Sequence, residues 1–220
     1  SSTLKGLYAA GFSSPISGGG IGGIAQSHGF VSGYRAGEQA ARACLQIENT
    51  ETKRDQVELL RKQALSPLGG DSGPQPEEIY LAINRATLPL ERSFFKHEKG
   101  LKATLTEIRR VKEELLPRVR ATDVHGMVKA NEARNFVALA EVLYLCCLER
   151  QESRGGLYRV DFPYRDDINW LKWIIIKNDG RKNNLNLEPV PLEKYPVKLE
   201  QRSLIPTLLQ VSLQGKPIGK

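Results

Sequence analysis

Glu152-Ser153-Arg154-Gly155-Gly156-Leu157-Tyr158-Arg159-Val160-Asp161-Phe162-Pro163, followed closely by Asp166-Asp167-Ile168-Asn169-Trp170-Leu171-Lys172, marks the point where the chain changes character. Two adjacent glycines and a proline cannot continue a helix. The arginines alternate with acids and aromatic residues, a composition for fastening elements together rather than for a bare helix face. Arg154 can satisfy the last helix carbonyls or bind a carboxylate bidentately, and Asp166 or Asp167 can answer Arg159 or Arg165. The strip therefore reads as a charged clasp or as a substrate contact.

Upstream of it the pattern is helical. Pro76-Glu77-Glu78 is a helix start, with Ile79, Ile83 and Ala86 on one face before Pro89. Leu101, Leu105, Ile108, Val111 and Leu115 form an apolar stripe that Pro117 ends. Asp123 caps a longer helix carrying Met127, Ala133, Phe136, Val137, Ala140, Leu143, Tyr144, Cys147 and Leu148. Short connections make these an antiparallel three-helix bundle. Downstream, Asn178-Asp179-Gly180 between Ile174–Lys177 and Asn184–Leu187 predicts a hairpin.

Toward the N-terminus, Leu4–Gly11 is apolar, short and bounded by glycine, which predicts a buried strand. The glycine-rich stretch Ser13–Gly23 predicts a loop. From Ser27, taken as the N-cap, Phe30, Gly33, Tyr34, Gly37, Ala40, Ala41, Cys44 and Leu45 recur at helical spacing. Gly29, Gly33 and Gly37 lie on one ridge where another backbone can approach. The expected fold class is α+β: a strand, loop and helix in residues 1–50, a linker over 51–76 rich in proline and glycine, a helical bundle over 77–156, a mixed tail over 157–200 and an extension over 201–220.

At 220 residues and 40% hydrophobic content the chain can bury one or two cores. Cys44, Cys146 and Cys147 lie in apolar helical stretches without metal-type spacing, and two neighbours on one helix do not bridge easily, so a reducing cytoplasm is expected. No apolar run reaches the length of a membrane helix, which predicts no direct membrane insertion. The net charge of +7 favours an acidic partner or an anionic substrate. It is dispersed, without an aromatic-interleaved basic motif, so no nucleic-acid partner is expected. His97 and His125 have no second ligand at metal spacing and read as surface residues.

A helix beginning at Ser27 offers free amides and positive potential to a phosphate or to the N1/O2 edge of a reduced flavin. Gly18, Gly20 and Gly23 match GxGxxG, but the match starts seven residues past the strand end, so a dinucleotide-fold fingerprint is rejected.

In their order, Gly6-Leu7-Tyr8-Ala9-Ala10-Gly11, the glycine-lined helix and the Glu152-Ser153-Arg154-Gly155 strip resemble the C-terminal part of the succinate dehydrogenase, fumarate reductase and adenylylsulfate reductase flavoprotein subunits. The resemblance spans residues 4 to 200. It implies FAD as cofactor, with Gly11, Phe12, Gln26, Ser27, His28 and Gly29 as its neighbours and His28 and Arg154 as catalytic candidates. It implies electron passage between a substrate and an iron-sulfur or ferredoxin-like partner, with the rest of the FAD site in an N-terminal flavoprotein half or companion subunit. The setting would be the cytoplasm, or a membrane periphery reached through a partner. Three departures stand out: Phe12 replaces the family's acid, Leu157 replaces a histidine, and the loop Gly20-Ile21-Gly22-Gly23-Ile24 lacks the arginine that grips a dicarboxylate. A non-catalytic assembly or scaffold subunit is the alternative.

Overall fold

The computed structural model describes residues 6–13, 24–46, 52–70, 72–180, 182–194 and 200–206. The chain divides into two compact units, residues 1–57 and 58–220. The loop expected before residue 24 falls outside the described residues beyond Ser13, as does most of the 201–220 extension.

In the first unit a helix, α1, spans Ile24–Cys44. Ser27 is therefore not its N-cap but lies inside its first turns; Ile24 and Ala25, both compatible with a helix, already belong to it. The expected strand is not formed over residues 6–10, and Gly11–Ser13 make a single 3-10 turn instead. A strand exists only beside another strand, and among the described residues none runs next to this segment. It lies along the helix: Tyr8 Oη donates to Gln39 O at 3.4 Å, and Gly11 N–H donates to Ser32 Oγ at 2.9 Å. The Ser32 hydroxyl in turn donates to His28 O.

The stretch expected as a linker holds a helix, α2, Arg54–Leu65, followed by a 3-10 turn over Ser66–Gly69. Most of its residues are strong helix formers and none is buried, Val57, Leu59, Leu60 and Leu65 included, so propensity rather than burial makes the helix. It is held by side chains of the longest helix: Arg134 donates to Gln63 O and to Ser66 Oγ, both at 2.8 Å, and Asn131 to Ala64 O at 3.0 Å.

The bundle forms as the periodicity predicts. Helix α3, Pro76–Thr87, starts with a capping box between Gln75 and Glu78. A short α4, Leu90–Ser93, follows Pro89. Helix α5, Glu98–Arg110, is capped by His97, whose Nδ1 accepts from Gly100 N–H at 3.2 Å; this histidine is a half-buried cap rather than a surface residue. One π turn and one 3-10 turn around Pro117 end the α5 rod. Helix α6, Val124–Glu149, starts on Asp123, which accepts from Gly126 N–H at 2.7 Å. Ile79, Ile83, Leu101, Ile108, Ala130, Ala133 and Val137 are fully buried between α3, α5 and α6.

After α6 come β1, Tyr164–Arg165, the short helix α7, Asp167–Trp170, and the hairpin β2, Lys172–Asn178, with β3, Asn183–Pro189. Strand β4, Ile205–Pro206, pairs antiparallel with β1, so the described start of the C-terminal extension docks on its own chain. Among the described residues no helix is long and apolar enough to cross a membrane.

Candidate functional site

Two groups of residues carry the candidate chemistry, one in each unit. In the first, Gly11 adopts φ +59°, and a Cβ there would lie 3.9 Å from Gly29 Cα. Two glycines thus bring the turn and the helix start together. The first helical amides belong to Ile24, Ala25 and Gln26. Gln26 and Ser27 are exposed beside them, His28 and Gly29 are half-buried, and Phe12 is 84% exposed. The arrangement offers donors and a broad aromatic surface at one end of α1. Along the flank of the helix, Tyr8, His28, Val31, Ser32, Arg35 and Gln39 line an open cleft of about 480 Å³. Gly33 and Gly37 meet no atom within 4 Å of where a Cβ would stand. Among the described residues, Gly29 is the one glycine of the ridge with another segment beside it, the Gly11 turn.

In the second unit the clasp is built around Glu152, whose side chain is wholly buried. Arg154 grips it with two arms, Nε to Oε1 at 2.7 Å and Nη2 to Oε2 at 2.9 Å, while Arg150 reaches Oε1 and Asp166 N–H donates to Oε2 at 2.8 Å. Arg154 Nη2 also meets Asp167 Oδ1 at 2.7 Å, and Arg165 meets Asp167 Oδ2 at 3.1 Å. Burial alone would raise the Asp167 carboxyl, but its bonds to Arg154 and the charges of Arg154 and Arg165 hold it below the usual carboxylate range. Asp166 accepts from Ile168 and Asn169 N–H at 3.1 Å and so caps α7. Arg154, a catalytic candidate, thus has its guanidinium taken up by two carboxylates of its own chain.

The helix carbonyls are satisfied by a different arginine from the one the sequence singles out. Arg159, 1% exposed, donates through Nη1 to Cys147 O at 2.6 Å, Leu148 O at 3.2 Å and Arg150 O at 2.9 Å. Ser153 Oγ accepts from Arg159 N–H at 2.8 Å and fixes the turn that returns it to the helix end. The signal available in the sequence was the set of orphan carbonyls that every helix end presents, which needs a cation within reach. His125 is exposed. Among the described residues no three of His, Cys, Asp or Glu converge as metal ligands.

Comparison with known proteins assigns this arrangement a lineage. The family model for fumarate reductase flavoprotein C-term matches residues 86–204. The fumarate reductase flavoprotein subunit of Mycobacterium tuberculosis is 27% identical over 212 residues, covering 88% of this chain and 36% of the relative. The succinate dehydrogenase flavoprotein subunit of Coxiella burnetii is 29% identical over 111 residues, 47% of this chain and 19% of the relative. Among solved structures, quinol fumarate reductase of E. coli superposes with a TM-score of 0.69 at 22% identity, over 80% of this chain and 31% of that one. Adenylylsulfate reductase of Archaeoglobus fulgidus gives 0.65 at 24% identity, over 80% and 30%. At these identities the structural likeness shows the fold. The chain spans 36% or less of each of these relatives' own length.

Proposed function

This chain belongs to the fumarate reductase flavoprotein C-terminal family, and on that premise we propose that it is the C-terminal portion of an FAD-dependent oxidoreductase. Its relatives are flavoprotein subunits, and the observation that carries the proposal is the Gly11 and Gly29 approach at the start of α1. A side chain at Gly11, already at a φ of +59°, would start 3.9 Å from Gly29 Cα in the corner where the turn meets the helix, while the Cβ direction of Gly29 itself is open. Phe12, Gln26 and Ser27 are exposed near this corner. These residues fit one edge of a flavin ring; they do not make a complete site.

FAD, when bound, would supply the hydride and electron transfer. This chain's part is positional and electrostatic. The amides of Ile24, Ala25 and Gln26, with the positive end of α1, stabilise negative charge near the pyrimidine edge. Gln26 and Ser27 orient that edge, Phe12 shields it from water, and His28 stands ready to hold a proton. Arg154 acts through the clasp, fixing the strip after α6, and does not reach the substrate. The remaining FAD contacts come from an N-terminal flavoprotein half or companion subunit, and an iron-sulfur or ferredoxin-like protein exchanges the electrons.

A scaffold role that keeps the fold without the chemistry is favoured by Phe12 and Leu157, which stand where the family has an acid and a histidine. Flavin absorbance in the native complex separates the two readings. Titration of this chain with FAD, followed by flavin fluorescence, tests the divided site. Weak binding alone and tight binding after adding the companion support it; submicromolar binding by the chain alone overturns it.

A further inference from the structure

Strands β2 and β3 form a sheet of their own, and among the described residues no further strand lies beside either. Their register pairs Trp173 with Glu188, Ile175 with Asn186 and Lys177 with Asn184. Val190 N–H donates to Leu171 O at 3.1 Å and Asp179 N–H to Lys182 O at 3.2 Å, which sets the phase of the ladder. Bonded and non-bonded pairs alternate along antiparallel strands, so Trp173, Ile175 and Lys177 exchange bonds with β3. Lys172, Ile174, Ile176 and Asn178 turn their backbone groups to the outer edge. Arg150 Nη2, which reaches Lys172 O at 2.8 Å, approaches from that side.

The two outer edges differ. Strand β3 carries Pro189 and three asparagines, which pair poorly, and Asn183 at its end reaches Glu141 on α6 at 3.5 Å. Strand β2 reads Lys-Trp-Ile-Ile-Ile-Lys-Asn, with β-forming residues at its centre and neither proline nor glycine. Such an edge is a template for another strand.

We propose that the outer edge of β2 pairs antiparallel with the same edge of a second copy of this chain, about a two-fold axis at Ile175. The phase of the ladder requires that even-numbered residues meet even-numbered ones. The register centred on Ile175 does so, bonding Ile174 to Ile176 of the second copy, and it runs the length of the strand, with Lys172 O at each end shared with Arg150. It also keeps the charges apart. Lys172 faces Asn178, and Lys177 faces the half-exposed Trp173, a favourable cation and ring pair rather than two lysines in opposition. The product is a four-stranded sheet in which Ile174, Ile176, Leu185 and Leu187 of both copies share one face.

Light scattering of the full chain over a concentration series tests this, together with Ile175→Lys, which sets two like charges opposite each other. A dimer that Ile175→Lys weakens about tenfold or more supports the pairing. Ile174→Pro keeps the hairpin ladder, because the lost N–H points outward, and should have the same effect with an unchanged far-UV spectrum. In Ile175→Cys, opposed Cα atoms about 4.5 Å apart in a non-bonded pair permit a disulfide, so mild oxidation should link the two copies at position 175. A monomer at every concentration overturns the proposal. So does a dimer indifferent to both substitutions or linked only through Cys44. So does a monomer whose Ile174 and Ile176 amides resist hydrogen exchange, which would mean that the edge is covered by the chain itself.

Discussion

Arg159 and Asp161 form a two-armed ion pair, Nε to Oδ1 at 2.7 Å and Nη2 to Oδ2 at 2.8 Å, that joins the end of one bundle helix to the start of another. Arg159 places its cation on the terminal carbonyls of α6, and Asp161 Oδ2 accepts from Glu98 N–H at 2.9 Å at the first turn of α5. Each charge sits at the helix end whose partial charge it complements. The backbone repeats the link, since Val160 N–H donates to Lys96 O at 2.7 Å.

Arg159→Met keeps most of the volume and removes the charge. It leaves buried carbonyls without their donor and the Asp161 carboxylate with the Glu98 amide but no counter-charge, so unfolding in urea should show a loss of about 3 kcal/mol. Asp161→Asn, which keeps hydrogen-bonding capacity on the half-exposed side, should cost about 1 kcal/mol. Equal and small losses for both would show that Arg159 does not anchor the end of α6.

Acid should undo the clasp in a defined window. Burial by itself would raise the Asp161 and Asp167 carboxyls, but the bonds and charges of Arg159, and of Arg154 with Arg165, bring both below the ordinary range. As pH falls, the unfolded chain takes up protons first, near a pH of about 4. The stabilisation is therefore complete above that value and is lost as pH falls through the lower folded-state values. The double variant Asp161→Asn with Asp167→Asn should be less stable at neutral pH and show a flatter decline below about pH 4. Denaturation midpoints over a pH series give the comparison, and parallel curves for variant and parent would rule the two carboxylates out.

Gly73 has φ +148°, and a Cβ there would fall 1.9 Å from Arg118 O. That contact is with backbone, and Arg120 reinforces it by donating through Nε to Gly73 O at 3.0 Å. Gly73→Ala should lower stability by about 3 kcal/mol, the upper range for backbone strain. Gly69→Ala, where nothing lies within 4 Å, should stay within about 0.5 kcal/mol of the parent. Thermal melts of the two variants side by side would expose an error if Gly69→Ala proved the worse.

What the sequence made legible follows from which signals are local. The bundle came through because Ile79, Ile83, Leu101, Leu105 and Ile108 repeat at helical spacing and because Pro76 and Asp123 mark starts by their own chemistry. The hairpin followed from Asn178-Asp179-Gly180. Helix α2 escaped because its apolar stripe, Val57, Leu60 and Ala64, is short and sits among charged residues next to the proline and glycine cluster that marks a linker, and in the fold it buries nothing. A strand at residues 4–11 was a statement about neighbours, and among the described residues none is present. The clasp was legible as a set of charges but not as a wiring diagram. Which of Arg154 and Arg159 reaches the α6 carbonyls depends on how the Gly155 turn, at φ +58°, directs the chain. The residues at the start of α1 came from the family resemblance; the structure adds the Gly11 and Gly29 approach and moves Ser27 inside the helix.

The glycine ridge of α1 offers a test of the proposed flavin domain. Gly33 and Gly37 are exposed and open, and beside them Phe30 and Tyr34 are 79% and 76% exposed. Among the described residues none comes within 4 Å of where a Cβ on Gly33 or Gly37 would stand. Glycine in a helix interior costs about 0.5 to 1 kcal/mol relative to alanine, so Gly33→Ala should raise the melting temperature of the chain, and Gly33→Leu should not lower it. If the bare ridge exists to admit the backbone of the missing part of the FAD domain, the same leucine will overpack that contact. The cost is about 1 to 3 kcal/mol, and retained flavin should fall accordingly when the assembled protein is gel-filtered. Lys129→Ala, which loses only a surface pair with Glu132, serves as the control and should keep flavin at the parental level. A leucine variant that destabilises the chain alone would mean that its own residues occupy the ridge. One that leaves both stability and flavin untouched would mean that the glycines serve no contact.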